Sequence, residues 1–294
     1  VGQVLVIGLV EGTLFGLLAL GISLVYRGAR TLNFALGEIG TLGLYAFWWL
    51  SVDHNLAWPA GALGAIAVAV AVAAAFERLV ARSAAGQGPA APAVASIGLL
   101  TALLAFELQV FGESPRAVRP PIAGLGVQVA GVFVSPTQLV GVGVAAVVAA
   151  GLGLFLRATD FGLGVLATAE DPDAARLMGI PASRVATFVW GAGGALAALA
   201  ALLVAPSVGV LTPGFASAHL FTVALAAAVV GGLGSLPGAF VGGLVVGVAK
   251  AALLRVFASS TLPGKEYLVY LGIVLALLAV RPQGLVGLRS GVRR

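Results

Sequence analysis

The run AWPAGALGAIAVAVAVAAAF, Ala57 to Phe76, carries no charged residue along its whole length. As a helix rising about 1.5 Å per residue it reaches roughly 30 Å, the thickness of the hydrocarbon core of a bilayer. A membrane-spanning β-strand would read instead as about ten residues of alternating polarity, and this run is continuous.

Outward from that stretch, apolar runs separated by Gly/Pro breaks and charged loops predict nine helical segments. They fall at about 4–26, 34–51, 57–77, 93–111, 136–156, 185–205, 218–232, 236–257 and 266–281. The segments at 34–51 and 218–232 are short and glycine-rich. They are expected to be broken or re-entrant helices, tolerable only where protein or a water-filled cavity covers the freed backbone. The composition agrees: of 294 residues 60% are apolar and 9% charged, and the mean hydropathy is +1.10. A soluble domain of this length needs far more Lys, Arg, Glu and Asp on its surface. The expected fold is an all-α, polytopic integral membrane helical bundle of about 8–10 transmembrane segments. It forms one transmembrane domain over 1–294, with a cytoplasmic loop at about 157–184 and an outer loop at about 112–135.

The sequence pI of about 10.2 does not point to nucleic acid, because Lys and Arg accumulate in the inner loops of membrane proteins. With the C-terminus inside, eleven basic residues (Arg27, Arg30, Arg78, Arg82, Arg157, Arg176, Arg184, Arg281, Arg289, Arg293, Arg294) fall on the inner side and five outside. The start VGQVLVIGLVEG lacks a basic region and a small-residue cleavage site, and reads as the first span and not as a removed signal. Glycines spaced by four, at 8, 12 and 16 and at 234, 238 and 242, predict close helix–helix approach.

No catalytic or metal site is expected. The chain has no Cys, and His54 and His219 stand alone. LGSLPG is not a G-x-S-x-G nucleophile elbow. Neither Lys250 nor Lys265 belongs to a phosphate-binding loop, so the chain itself is not expected to hydrolyse ATP. Three polar residues within apolar segments are candidates for a translocation pathway: Glu11, Asn33 and Glu38. A charge at mid-bilayer costs about 2.5–3.5 kcal/mol on insertion scales, so such residues face protein or a cavity. Glu11 could meet a substrate ammonium or be held structurally; Glu38 could serve either role. Glu107 and Lys250, near outer helix ends, could pair or reach the interface.

Charge gathers instead in RATDFGLGVLATAEDPDAARLMGIPASRV, Arg157 to Val185, which holds four of the eleven acidic residues. Within it Asp171 is a good N-cap, Pro172 suits the first helical position, and Asp173 favours the positive helix end. Gly179 supplies a left-handed stop and Pro181 prevents resumption. The expected helix is 172–178, with Ala174, Leu177 and Met178 on one side and Arg176 pointing away. So short a helix is not stable alone in water. Its apolar side rests either on the rest of the chain or in a groove of a cytoplasmic partner.

Six stretches, in order, resemble the permease subunits of branched-chain amino acid ABC importers. They are GLVEGTLFGLLALGISLVY (Gly8–Tyr26), LNFALGEIGTLG (Leu32–Gly43), ASIGLLTALLAFELQVFG (Ala95–Gly112), the stretch from Ala167 to Pro206, GGLGSLPGAFVGGLVVGVAKA (Gly231–Ala251) and RPQGLVG (Arg281–Gly287). The resemblance implies a second, homologous permease subunit, two cytoplasmic ATP-binding subunits that carry ATP and Mg, and an extracytoplasmic solute-binding protein. It implies no cofactor on this chain, a bacterial or archaeal inner membrane, and transport of branched-chain amino acids or related small polar solutes by ATP-driven alternating access. An ion-coupled secondary transporter or channel is the alternative. The resemblance also makes Asp171–Gly179 similar to the helix that couples a permease to its ATPase. The chain departs from the family at Leu36, where a His is usual, and at Glu11, where the site is usually apolar.

Overall fold

The computed structural model describes residues 2–256, apart from 89, 119–121, 123, 125 and 130, together with Gly272. The expected segment at 266–281 lies outside the described residues. Among them, six helices are long and apolar enough to cross a membrane. They are α1 (Gly2–Ala29), α3 (Trp58–Phe76) with its continuation, α5 (Ala91–Phe111), α6 (Pro136–Ala158), α9 (Ala182–Val208) and α11 (Leu236–Val256). α3 runs on through a π turn, Glu77–Ala81, into the four-residue α4 (Arg82–Ala85), so the expected 57–77 is extended by more than two turns.

The two segments expected to be irregular are so. α2 (Leu36–Trp48) starts only after an irregular stretch at 30–35 and ends in a π turn, Trp49–Asp53. α10 (Thr222–Gly231) is preceded by a strand pair residue run, Val210–Leu211, and a third π turn, Ser217–Phe221. Between the spans, α7 (Asp160–Glu170) and α8 (Pro172–Leu177) build the charged loop.

α1 and α9 are the most buried spans and form the centre. α1 lies against α11, and glycine sets their separation. A Cβ on Gly12 would stand 2.7 Å from the Gly243 carbonyl oxygen, and one on Gly8 2.9 Å from the Val248 nitrogen. α11 uses a second glycine edge, Gly238 and Gly242, against Gly231 and Ala227 of α10. Lipid tails are as apolar as leucine, so such close backbone approach supplies the dispersion that holds membrane helices together. At the periphery, Val94, Val147 and Leu154 are exposed, as a surface in contact with lipid requires.

The antiparallel run of the helices puts Arg27, Arg30, Arg78, Arg82, Arg157, Arg176 and Arg184 at one end and Arg116, Lys250 and Arg255 at the other. The first end carries the excess of basic residues that marks the inner side of membrane proteins. The outer end carries two small antiparallel pairings, Arg116–Ala117 with Val210–Leu211 and Val127–Val129 with Val132–Val134. The Arg116 guanidinium lies 4.2 Å from the centre of the Trp48 ring and donates to the Phe111 carbonyl at 3.0 Å.

Candidate functional site

Three features carry polar chemistry, at three depths. At the arginine-rich end stands α8. The Asp171 side chain accepts from the Asp173 and Ala174 N–H groups, each at 3.0 Å, and so caps the helix. Arg176 pairs with Asp173 at 3.2 Å. Gly179 takes φ 81°, and its N–H donates to the Arg176 carbonyl at 2.9 Å. The helix ends at Leu177, and Met178 is its C-cap, one residue short of the expected 172–178. The residue that buries itself is Ala175, not Ala174. Leu177 and Met178 are 90% and 83% exposed, so the described residues do not cover the apolar side. The knob is nonetheless fixed to the bundle. Arg30, at the end of α1, donates to the Ala169 and Glu170 carbonyls at 2.6 and 3.0 Å and so ties down the end of α7.

At mid-depth the two interrupted helices meet. The Asn33 side-chain oxygen accepts from the Ala35 N–H at 2.9 Å, and Ser96 Oγ accepts from the Phe34 N–H at 3.0 Å. Thr41 Oγ accepts from the Ala216 N–H at 2.9 Å, and the Glu107 carboxylate from the Gly214 N–H at 3.0 Å. Side chains thus take up backbone donors that the breaks release, which the hydrocarbon core demands. Glu38 and Glu107 are 1% and 0% exposed, and both carboxyl groups lie beside Gly214. Within one chain, Glu38 Oε2, Glu107 Oε1 and the Tyr45 hydroxyl find no partner among the described residues.

Near the outer end, Glu11 pairs with Lys250 at 2.8 Å. Glu107 and Lys250, for which pairing is one of two expectations, go to different places: α5 turns Glu107 inward, towards the break at Gly214, while the α1–α11 seam brings Lys250 over Glu11. Of the three pathway candidates, Glu38 and Asn33 belong to the interruption and Glu11 to a separate site nearer the outer surface. The inward placement of Glu107 beside α2 is not legible in the sequence, because nothing in its own segment announces a neighbour there.

A further missed group is Glu77, 2% exposed. Arg82 reaches it with two bonds of 3.0 and 2.8 Å, and the Thr187 hydroxyl donates to it at 2.6 Å. Residues five apart do not face each other on an α-helix. The π turn at Glu77–Ala81 makes them neighbours.

Comparison with known proteins gives this arrangement its place. Residues 4–279 match the family described as branched-chain amino acid transport system / permease component. The high-affinity branched-chain amino acid transport system permease protein BraD of Pseudomonas aeruginosa is 33% identical over 302 residues, covering 97% of this chain and 95% of that protein. The corresponding protein LivH of Escherichia coli K12 is 31% identical over 299 residues, covering 95% and 93%. Among solved structures, PsaBC from Streptococcus pneumoniae in complex with Fab aligns with a TM-score of 0.53 at 16% identity, over 96% of this chain and 93% of that one; the likeness is one of fold. With a family match over nearly its whole length and a helical bundle to go with it, this chain belongs to the permease components of branched-chain amino acid transport systems.

Proposed function

We propose that this chain is one permease half of an ABC importer for branched-chain amino acids or related small polar solutes, set in the cytoplasmic membrane of a bacterium or archaeon. It pairs with a second, homologous permease subunit, and a solute-binding protein delivers substrate at the outer end. Two cytoplasmic subunits bind ATP and Mg and drive alternating access, a shift between outward-open and inward-open populations. Asn33 and Glu38 belong to the pathway at the interruption, and Glu11 to its outer part. α8, with Asp171, Asp173, Ala174, Arg176, Leu177, Met178 and Gly179, is the coupling helix.

The observation that carries this reading is the knob: a capped, abruptly ended helix whose Leu177 and Met178 stand 90% and 83% exposed at the arginine-rich end. An apolar tip on a stiff, polar base suits a groove in another protein. Leu177→Asp puts an unpaired charge into that groove, a change that costs several kcal/mol where the site is dry. The variant is expected to insert and pair with its permease partner, to lose the ATPases on purification, and to lose uptake. Full retention of ATPases and uptake would remove α8 from the coupling. The buried Glu38–Glu107 pair is the one feature that suits an ion-coupled transporter. Uptake that persists without ATPases and stops with a protonophore would select that alternative.

A further inference from the structure

The Glu11–Lys250 pair opens onto a cavity of about 240 Å³ in the outer part of the bundle. Its polar lining is Glu11, Lys250, Gln138, Ser207 and His219. Its apolar lining includes Leu14, Phe15 and Val204. The π turn at Ser217–Phe221 contributes Ala218 and His219, so the interruption before α10 borders this space. Backbone irregularity at membrane depth persists where it lines a cavity, and transporters bind substrates beside discontinuous helices.

We infer that this cavity is a subsite for the zwitterionic head and aliphatic side chain of a neutral α-amino acid; the inference rests on the permease reading above. Glu11 lies about 13 Å along α1 from Gly2. There the Lys250 ammonium stands 2.8 Å away, and the two side chains are 38% and 14% exposed, Glu11 being the more open. The Lys250 ammonium also lies 5.1 Å from the centre of the Phe15 ring. The glycine seam puts the pair in place: Gly8 and Gly12 meet Gly247, Val248 and Leu244, so no bulky side chain separates the two helices below the charges.

A zwitterion that offers its ammonium to Glu11 and its carboxylate to Lys250 closes a ring of four alternating charges with no net charge. It therefore leaves water without an uncompensated ion, whereas a ligand with net charge adds one to the site. The apolar wall of Leu14, Phe15 and Val204 then receives the aliphatic side chain. The competing account makes the ion pair a clamp between α1 and α11 and nothing more.

The test uses the complete transporter, with partner permease, ATPases and binding protein, in proteoliposomes, and measures leucine uptake. Glu11→Gln and Lys250→Gln each remove one partner of the ligand and should lower kcat/KM by about tenfold or more, the effect of one lost charge-assisted hydrogen bond. The swap Glu11→Lys with Lys250→Glu reinstates the ion pair but reverses the orientation demanded of the ligand. It should restore thermal stability and leave uptake low. A third variant, Ser207→Trp, fills the cavity without touching either charge and should abolish uptake in an assembled complex, which keeps the test informative if the single charge variants fail to assemble. Full recovery of uptake in the swap, or normal uptake by Ser207→Trp, overturns the subsite in favour of the clamp. If the wild-type transporter takes up no leucine, the substrate reading itself falls, separately from the subsite.

Discussion

Glu77 shows what one residue can impose on a membrane helix. Its carboxylate is 2% exposed and is matched by Arg82 and Thr187, so α3, α4 and α9 are held together at the arginine-rich end. Arg82 keeps 44% of its side chain exposed, and that water screens part of the attraction. Arg82→Ala, which leaves the carboxylate with the hydroxyl alone, should cost about 2–3 kcal/mol, read as a lower melting temperature in detergent. Glu77→Gln keeps an acceptor for Thr187 and should cost less. Equal losses for the two would show that the charge pairing contributes little beyond packing.

At the scale of elements, what sequence could and could not show divides along physical lines. Long apolar runs report spans directly, because length and hydropathy are local properties; α1, α5, α6 and α9 begin and end within a few residues of expectation, and α11 begins at the expected residue. Cap chemistry is local too, so Asp171, Pro172 and Gly179 announced α8 before any coordinates. The partners of Glu107, Glu11 and Glu77 were hidden, since each depends on another helix or on a π turn that no simple residue pattern marks. The glycine spacing at 8, 12 and 16 predicted close approach but not its partner; Gly243 and Gly247 on α11 were not singled out. The interruption offers an element-scale test. Glu107→Gln still provides an oxygen for the Gly214 N–H, whereas Glu107→Leu leaves that donor buried without a partner, at a cost of about 1–3 kcal/mol. Uptake and thermal stability should survive the first change and fall with the second. Equal behaviour of the two variants would mean that Glu107 does not hold the break.

For the molecule as a whole, the asymmetry of arginine predicts which end faces the cytoplasm. The chain contains no cysteine, so single introduced thiols report position without background. Ser114→Cys at the outer end should react with an impermeant reagent in intact cells, and Gln87→Cys, beyond α4, only after lysis. The reverse pattern would invert the topology and place α8 where no ATPase could reach it.

If α8 is the coupling helix, transmission between the two ends needs a rigid link from it to the spans, and Arg30 offers one. It adopts φ 53°, a left-handed conformation that costs a non-glycine residue about 1–2 kcal/mol. Its guanidinium meanwhile binds the Ala169 and Glu170 carbonyls. The end of α1, the most extensively glycine-packed span, is thereby tied to the helix that leads into the knob. Arg30→Ala cuts this tie and leaves the apolar tip at Leu177 and Met178 untouched. On the coupling-helix reading, the ATPases should remain bound and hydrolyse ATP while solute moved per ATP falls severalfold. Measuring hydrolysis and uptake in the same vesicles separates this from lost assembly, in which both would fall together. An unchanged ratio would show that motion of α8 reaches the membrane core through α9 alone, from Pro181 onward, and that the Arg30 contacts only shape the loop.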